Sequence, residues 1–274
     1  MTNVLLILSG FAIGTFGTLI GAGGGFMLVP LLLIFYPELS PEIVTGISIA
    51  VVAVNAISGT FAYGKSRRID YKAGIIFALF TIPGSILGVY TVQFIPQKTF
   101  NLIFGLLLIL LSAYLFLKRM AQRDDSNNTN LPKHHIQHIL TDSKGTIYRY
   151  SYNPWVGNII SIVVGFISPL LGIGGGIIHV PAMAHWLKFP VYIATATSHF
   201  ILAIMATVSV LTHVASGTYS DTETQYMILF LIIGVVPGAQ LGAYFSHKVK
   251  SQFILRALAA CLVIVGIRIL LNSF

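Results

Sequence analysis

The chain has 274 residues with a net charge of +8, and 55% of them are hydrophobic while only 9% are charged, against roughly 25% in a typical soluble domain. This composition excludes a water-soluble globule and a disordered chain, and a single cysteine excludes an internal disulfide. It predicts an all-α polytopic membrane protein in contact with the lipid bilayer. The basic residues lie between apolar stretches without a nucleic-acid motif, so we expect no nucleic acid partner.

Ten apolar stretches divide the chain. They cover residues 3–20, 26–36, 43–63, 73–95, 99–117, 154–171, 177–187, 191–215, 225–246 and 253–272. Most can cross a hydrocarbon core of about 30 Å, whereas 26–36 and 177–187 reach only about half of it at roughly 1.5 Å per residue. The first stretch lacks the basic start and cleavage site of a secretory signal, so we interpret it as a membrane segment.

Three motifs occur twice in the same order. They are Gly-x-Gly-Gly-Gly-x-x-x-Val-Pro at 21–30 and 172–181, Thr-x-x-Ser at 45–48 and 195–198, and Pro-Gly-x-x-Leu-Gly at 83–88 and 237–242. Collinear matches at a nearly constant offset indicate a duplication. We therefore predict a first transmembrane repeat at 1–117, a linker at 118–153 and a second transmembrane repeat at 154–274.

The charge distribution favours opposite orientations of the two repeats. If each half is a broken, re-entrant helix hairpin plus three transmembrane helices, 14 of the 16 Lys and Arg residues lie on one side of the membrane. If each broken stretch instead crosses once, that number falls to 11. The positive-inside rule thus predicts two inverted-topology repeats, with the linker in the cytoplasm and both termini outside.

The linker is the longest polar segment. Its sequence predicts a short β-hairpin with strands at 136–140 and 146–152 and a turn at 142–145. We interpret the linker as a connector that allows the second half to be inverted, with a regulatory role as the alternative. His134, His135 and His138 resemble a metal-binding tract, but no cysteine or carboxylate completes it, so we expect neither a metal nor a cofactor.

The duplicated glycine runs are the first candidate site. Each run precedes a short apolar helix, whose first N–H groups are free and lie at the positive end of the helix dipole. Two such ends near the midplane predict an anion-binding site, and the alternative is close helix packing through glycine. The substrate-binding candidates in these runs are Gly23, Gly24, Gly25, Gly174, Gly175 and Gly176.

Polar side chains within the spans give the remaining candidates. No Asp or Glu falls inside the predicted spans, which argues against a carboxylate proton relay and favours a substrate that is itself negative. Ser48 and Ser198 are paired by the repeat, Asn55 lies two turns after Ser48 on the same face, and His199 follows Ser198. Bonding to the preceding helical turn is the alternative for any of the hydroxyls.

Two histidines and two Pro-Gly pairs complete the set. His179 and His199 are candidate proton carriers, because imidazole titrates near neutral pH and is costly to bury without a partner. A neutral histidine bonded to a carbonyl is the alternative. Pro83-Gly84 and Pro237-Gly238 predict helix breaks, which we interpret as kinks and candidate hinges.

These motifs resemble the TauE/SafE family of bacterial sulfite and organosulfur-anion permeases. The resemblance implies a multi-pass inner-membrane permease that moves a small sulfur-containing anion, such as sulfite or a small sulfonate, usually outward. We therefore expect a secondary transporter with alternating access. The alternatives are an anion channel and a membrane sensor that acts through the linker. No nucleophile–base pair indicates an enzyme, and a homo-oligomer stays open.

Overall fold

A computed structural model describes residues 3–117, 136–246, 259, 262–264 and 266–271. The helices are α1 (Asn3–Ile20), α2 (Gly25–Phe35), α3 (Pro41–Lys65), α4 (Tyr71–Val92), α5 (Gln97–Leu117), α6 (Pro154–Leu171), α7 (Gly176–His185), α8 (Val191–Ala215) and α9 (Thr222–Phe245). Residues 262–264 and 266–271 are also helical. In this part of the chain, six helices are long and apolar enough to span a membrane, namely α1, α3, α4, α6, α8 and α9. The predicted all-α polytopic fold is confirmed.

Polar caps define where several helices begin. In each case a side-chain oxygen before the helix accepts a hydrogen bond from an N–H of the first turn, which satisfies a donor that the helix itself leaves free. The capping residues are Ser40 before α3, Asp70 before α4, Asn153 before α6 and Asp221 before α9. Prolines at the first positions of α3 and α6 fit the same geometry.

Helices α3 and α8 form the centre of the molecule and run antiparallel. They are the most buried of the candidate spans, and small or apolar side chains such as Ala53, Ala56, Leu202 and Ala206 form the core between them. Gly46 near the start of α3 faces His213 near the end of α8, while Gly59 faces His199. The polar groups on these two helices are therefore held in a rigid, lipid-shielded interior.

The outer helices pack as two equivalent parallel pairs, α1 with α9 and α4 with α6. Glycines allow the backbones to touch, since a Cβ would overlap the facing chain. The facing pairs are Gly234 with Ile7, Gly238 with Phe11 and Gly242 with Thr15, and in the other pair Gly84 with Ile162 and Gly88 with Phe166. In each pair the repeat-initiating helix of one half contacts the fourth helix of the other half.

The Pro-Gly pairs do not break their helices, in contrast to the prediction. Helix α4 continues through Pro83 and α9 continues through Pro237. Gly84 and Gly238 instead serve the close contacts with α6 and α1. A packing requirement thus explains these glycines, and their role as hinges stays a prediction.

The linker contains the predicted hairpin, whose strands are β1 (Ile136–Thr141) and β2 (Ile147–Tyr152). The strands pair antiparallel, from Ile136 opposite Tyr152 to Thr141 opposite Ile147. The Asp142 carboxylate accepts the N–H groups of Lys144 and Thr146 and closes the turn. This prediction is confirmed to within one residue at each strand.

The hairpin docks where the α3–α4 and α7–α8 loops meet. The Tyr150 hydroxyl donates to Asp70 at 2.7 Å, and His138 Nδ1 lies 2.9 Å from the same carboxylate. The Tyr152 ring, just before α6, lies 4.9 Å from that of Phe189, just after α7. The chain therefore enters and leaves the α6–α7 pair at one end of the molecule, as a re-entrant hairpin does.

His138 is thus engaged by a carboxylate and by aromatic rings. Its ring centroid lies 5.5 Å from that of Tyr152 and 6.0 Å from that of Tyr150. His134 and His135, the other members of the predicted tract, lie outside the described residues.

We expect Gly84→Ala to lower the free energy of unfolding by about 1–3 kcal/mol, the usual cost of overpacking. The added Cβ would lie 2.6 Å from the carbonyl oxygen of Ile162. Alanine is the better helix former, so intrinsic propensity alone predicts stabilisation instead. Thermal unfolding in detergent measures whether Gly84→Ala destabilises or stabilises the protein, and Leu87→Ala, at an exposed position of the same helix, is the control. An unchanged or raised Tm for Gly84→Ala contradicts the packing role.

We expect Asp142→Asn to loosen the hairpin at neutral pH. Burial opposes the charge on Asp142, but the N–H groups of Thr146 and Lys144 and the Arg68 guanidinium outweigh it and lower the pKa of the carboxyl. The stabilisation from a lowered pKa is complete above the ordinary carboxyl pKa of about 3.9 and is lost as the pH falls through the lowered value.

Limited proteolysis of the hairpin across pH measures this effect. The variant is expected to be cut faster at neutral pH, and the wild type should approach it only in strong acid. Asp221→Asn, at the cap of α9, serves as the control and should leave hairpin cleavage unchanged. Equal cleavage of Asp142→Asn and wild type at neutral pH would contradict the docking role of the charge.

Candidate functional site

The two glycine loops, residues 21–24 and 172–175, touch each other backbone to backbone. The Phe26 N–H donates to the Ile173 carbonyl oxygen at 3.0 Å. A Cβ on Gly25 would overlap the Gly172 carbonyl, and a Cβ on Gly176 would overlap the Gly21 carbonyl. Helices α2 and α7 therefore begin side by side, in a contact that only glycine permits at these two positions.

The turns of the loops also require glycine. Gly21, Gly23 and Gly24 have φ of 80°, 78° and 87° in the first loop, and Gly172 and Gly174 have φ of 66° and 72° in the second. Other residues rarely adopt this conformation. Gly175, the counterpart of Gly24, has an ordinary φ of −56°, so the two loops are similar but not identical.

Each loop lies against the Thr-x-x-Ser motif of the opposite half. Gly172 packs on Thr45, and Gly21 packs on Thr195. The Ser48 hydroxyl donates to the Gly172 carbonyl oxygen at 2.6 Å. Ser198 is equally buried, but its hydroxyl has no hydrogen-bond partner among the described residues. The repeat thus places two serines equivalently and leaves one of them free.

Asn55 and His199 belong to a buried polar cluster at the first loop. Asn55 Nδ2 donates to the Gly23 carbonyl oxygen, and Asn55 Oδ1 accepts the Thr18 hydroxyl, both at 2.8 Å. His199 Nε2 lies 3.4 Å from Thr18 Oγ1. Asn55 therefore fixes the loop with both ends of its amide, so it positions the site rather than offering a free donor.

Thr18 and Tyr63 are members of this cluster that the sequence prediction missed. Besides contacting Asn55, Thr18 accepts the Tyr63 hydroxyl on its carbonyl oxygen at 2.7 Å, and the Tyr63 ring meets His199 edge-on at 5.7 Å. Their repeat counterparts are a proline and a histidine, so duplication gave no signal. The one sequence feature that pointed to this cluster is Thr18 itself, a polar residue three positions before Gly21.

Several polar groups at the loops have no partner in the described part of the chain. The side-chain atoms are Ser198 Oγ, His199 Nδ1 and Ser168 Oγ, all on fully buried residues. Within the same residues, the amide N–H groups of Gly24, Gly25, Gly174, Gly175 and Gly176 have no recorded acceptor. Buried polar groups are normally paired, so this concentration of unpartnered polar groups makes the loops a candidate ligand site.

The His179 backbone N–H donates to the Gly175 carbonyl oxygen at 2.8 Å, but the His179 side chain is directed toward α6. Its Nε2 is 3.2 Å from Ser161 Oγ, and its ring lies beside that of Phe77. No recorded contact joins it to the His199 cluster among the described residues. The structure thus brings the glycines, Ser48, Asn55, Ser198 and His199 together, and it places the His179 side chain and the two Pro-Gly pairs elsewhere.

His213 belongs to a third polar group at the opposite end from the hairpin. Its Nδ1 is 3.1 Å from Thr218 Oγ1, and Thr218 donates to Glu42 at 2.8 Å. Helix α3 begins at Pro41, earlier than predicted, and so includes Glu42 in its first turn. The expectation that the spans lack carboxylates is therefore wrong at this helix end.

We expect Gly176→Ala to reduce folded yield and Tm strongly, while Gly175→Ala is tolerated. The Cβ at position 176 meets the backbone of the other loop, whereas at position 175 it meets the side-chain ends of Val164 and Met205, at 2.9 and 3.3 Å. Size-exclusion yield and thermal unfolding of this neighbouring pair provide the comparison. Equal stability of the two variants would contradict the backbone contact between the loops.

Comparison with known proteins agrees with this architecture. Residues 6–269 match the family model described as "Sulfite exporter TauE/SafE". The chain is 34% identical to "Probable membrane transporter protein YunE" of Bacillus subtilis, over 98% of each chain. It is 27% identical to "Probable membrane transporter protein MJ0441" of Methanocaldococcus jannaschii, over 97% of this chain and 95% of the relative.

A "Probable membrane transporter protein" of Xylella fastidiosa is 25% identical over 89% of this chain and 84% of its own length. No solved structure matches the chain. The family match extends over the helices on both sides of the hairpin, and the relatives named above are all described as membrane transporters. The chain therefore belongs to the TauE/SafE family and is a multi-pass membrane transporter.

Proposed function

We propose that this transporter moves a small sulfur-containing oxyanion, sulfite or a small sulfonate, which binds between the glycine loops. The observation that carries the proposal is the meeting of two buried helix N-termini whose amide N–H groups lack acceptors. A compact oxyanion offers several oxygens to such donors. The free hydroxyl of Ser198 adds a side-chain donor beside them.

The electrostatics of the loops suit an anion. The N-termini of α2 and α7 each contribute about half a positive charge, and in a buried site this partial charge is weakly screened. Both recorded ion pairs of the described chain involve the hairpin, Arg68 with Asp142 and His138 with Asp70. The buried Arg68 is thus engaged at the hairpin and away from the loops, so among the described residues fixed backbone dipoles supply the attraction for the anion.

We further propose that the two halves cross the membrane in opposite directions. Helix α9 begins at the end of the molecule where Thr218 contacts Glu42, and α1 runs parallel to α9. Helix α4 begins at the other end of α3, beside the hairpin, and α6 runs parallel to α4. The initiating helices α1 and α6 would thus be inverted, with the hairpin in the cytoplasm of a bacterial inner membrane.

Alternating access follows from this arrangement. The site lies between halves that can rock against each other, and each loop is contacted by the opposite half at Thr45 or Thr195. The direct contact of the loops supports alternation over an open channel. A negative interior favours outward movement of an anion by about 2.3 kcal/mol per charge per 100 mV.

The docked hairpin supports a second candidate, regulation or sensing through the linker. It contacts Asp70 of the first half and Phe189 of the second half. If the α3–α4 and α7–α8 loops move apart, the hairpin must loosen. A signal that stabilises docking of the hairpin would therefore hold this end of the transporter closed. Transport that survives deletion of the hairpin would exclude this second role and leave the transporter intact.

We expect Ser198→Ala to raise the KM for sulfite roughly tenfold or more in proteoliposomes, because a hydrogen bond to a charged group contributes about 1.5–3 kcal/mol. Folding should be preserved, since the hydroxyl has no partner in the described chain. Ser209→Ala is the matched control, because it removes a buried hydroxyl of the same helix that bonds only the Met205 carbonyl.

Sulfate, thiosulfate and small sulfonates as competitors define the substrate class in the same assay. Saturable sulfite flux that Ser198→Ala weakens and Ser209→Ala leaves intact is the expected result. Absence of flux for all of these anions, in a correctly folded protein, would contradict the proposed substrate. Equal effects of the two serine variants would remove Ser198 from the site.

A further inference from the structure

The hydrogen-bond chain at the first loop determines where the His199 proton lies. Asn55 Nδ2 donates to the Gly23 carbonyl oxygen, so Asn55 Oδ1 can only accept. The Thr18 hydroxyl therefore gives its proton to Asn55 Oδ1 at 2.8 Å. The Thr18 oxygen is left as an acceptor for the imidazole.

His199 Nε2 must then carry the ring proton. It lies 3.4 Å from Thr18 Oγ1, and with the hydroxyl proton already used, Nε2–H is the donor in this contact. A neutral imidazole has one N–H, so Nδ1 presents a lone pair. Nδ1 is buried and has no hydrogen-bond partner within the described residues.

A lone pair at this position repels a bare oxyanion. The atom becomes a donor only when it binds a proton, so an anion and a proton stabilise each other there. The carbonyl oxygens of Gly21 and Asn55 also lie beside the ring. A proton is thus the component that turns Nδ1 from a repulsive atom into a ligand for the anion.

Few other charges act on this ring. From α3, Tyr63 is the titratable group that faces it, and the Tyr63 hydroxyl is used by the Thr18 carbonyl. The groups that α1, the first loop and α8 present are Thr18, Gly21 and Ser198, which do not titrate. Among the described residues, no Asp, Glu, Lys or Arg side chain contacts the His199 ring.

We propose that the site binds its anion together with one proton, which is shared between His199 Nδ1 and a substrate oxygen. This inference rests on the proposed function. A hydrogen sulfite ion can bring the proton, and its O–H then donates to Nδ1. A sulfonate stays ionised, so Nδ1 must take the proton from solution and donate Nδ1–H to a sulfonate oxygen. With hydrogen sulfite the O–H bond of the substrate stays intact. With a sulfonate an N–H bond forms at Nδ1 while an O–H bond of a hydronium ion breaks, and in both cases transport is coupled to one proton per anion.

The test uses methanesulfonate, because any proton taken up on binding must then reside on the protein. Calorimetric titration of the full-length purified protein, in two buffers with different ionisation enthalpies, measures proton uptake per bound anion. We expect uptake to approach one proton above neutral pH, and the affinity to fall by up to tenfold for each unit of rising pH. Sulfite is titrated in parallel as the protonatable anion.

The outcomes separate this inference from the proposed function. Binding of methanesulfonate with no proton uptake and a flat pH profile overturns the role of His199 and leaves the anion site standing. Failure of both methanesulfonate and sulfite to bind overturns both. Sulfite binding without detectable methanesulfonate binding at any pH also overturns the inference, because a protonated Nδ1 should accept either anion.

Two substitutions assign the proton to Nδ1. Asparagine in His199→Asn places an amide nitrogen near Nδ1, so we expect binding without proton uptake. Glutamine in His199→Gln keeps a donor toward Thr18 and loses the group at Nδ1, so we expect weak binding without uptake. His179→Gln, at a buried histidine that bonds Ser161, should retain the uptake of the wild type. If His179→Gln loses proton uptake and the His199 variants retain it, the assignment of the proton to His199 is overturned. If a variant fails to fold, the wild-type titration alone decides whether a proton binds with the anion.

Discussion

The backbone contact between the two glycine loops limits how the surrounding helices can pack. At Gly25 and Gly176, the first residues of α2 and α7, the backbone contacts a carbonyl group of the opposite loop. Irregular backbone inside a membrane protein must be shielded from lipid, and the central helices α3 and α8 provide that shield. The parallel outer pairs, α1 with α9 and α4 with α6, then surround this core through further glycine contacts.

The two halves use this shared framework differently. In one half Ser48 satisfies a loop carbonyl, whereas Ser198 has no partner in the described residues. Gly24 is left-handed, whereas its counterpart Gly175 is helical. The two loops therefore have a similar backbone, whereas the side chains around them differ between the two halves. The cluster around His199 lies at the first loop, where Thr18 contacts both Asn55 and the His199 ring.

Sequence reasoning predicted the features that repeat or that have a clear period. The first nine apolar stretches, the short helices after the glycine runs and the hairpin agree with the structure, because each follows from local composition and turn chemistry. The tenth stretch, 253–272, lies largely outside the described residues. Thr18 and Tyr63 were missed because their roles arise from contacts with Asn55 and His199 across the fold. The Pro-Gly pairs were taken for helix breaks because sequence does not reveal which glycines face another backbone. The partners of His179 and His199 likewise depend on tertiary packing alone.

Hydrogen–deuterium exchange of the purified protein, with and without saturating sulfite, measures whether the anion binds to the amides of both loops. We expect slower exchange in residues 21–26 and 172–177 together when sulfite is present, with little change in the hairpin strands. Saturable sulfite binding that leaves both loops unchanged, or that protects another region alone, would contradict an anion site formed by the two glycine loops.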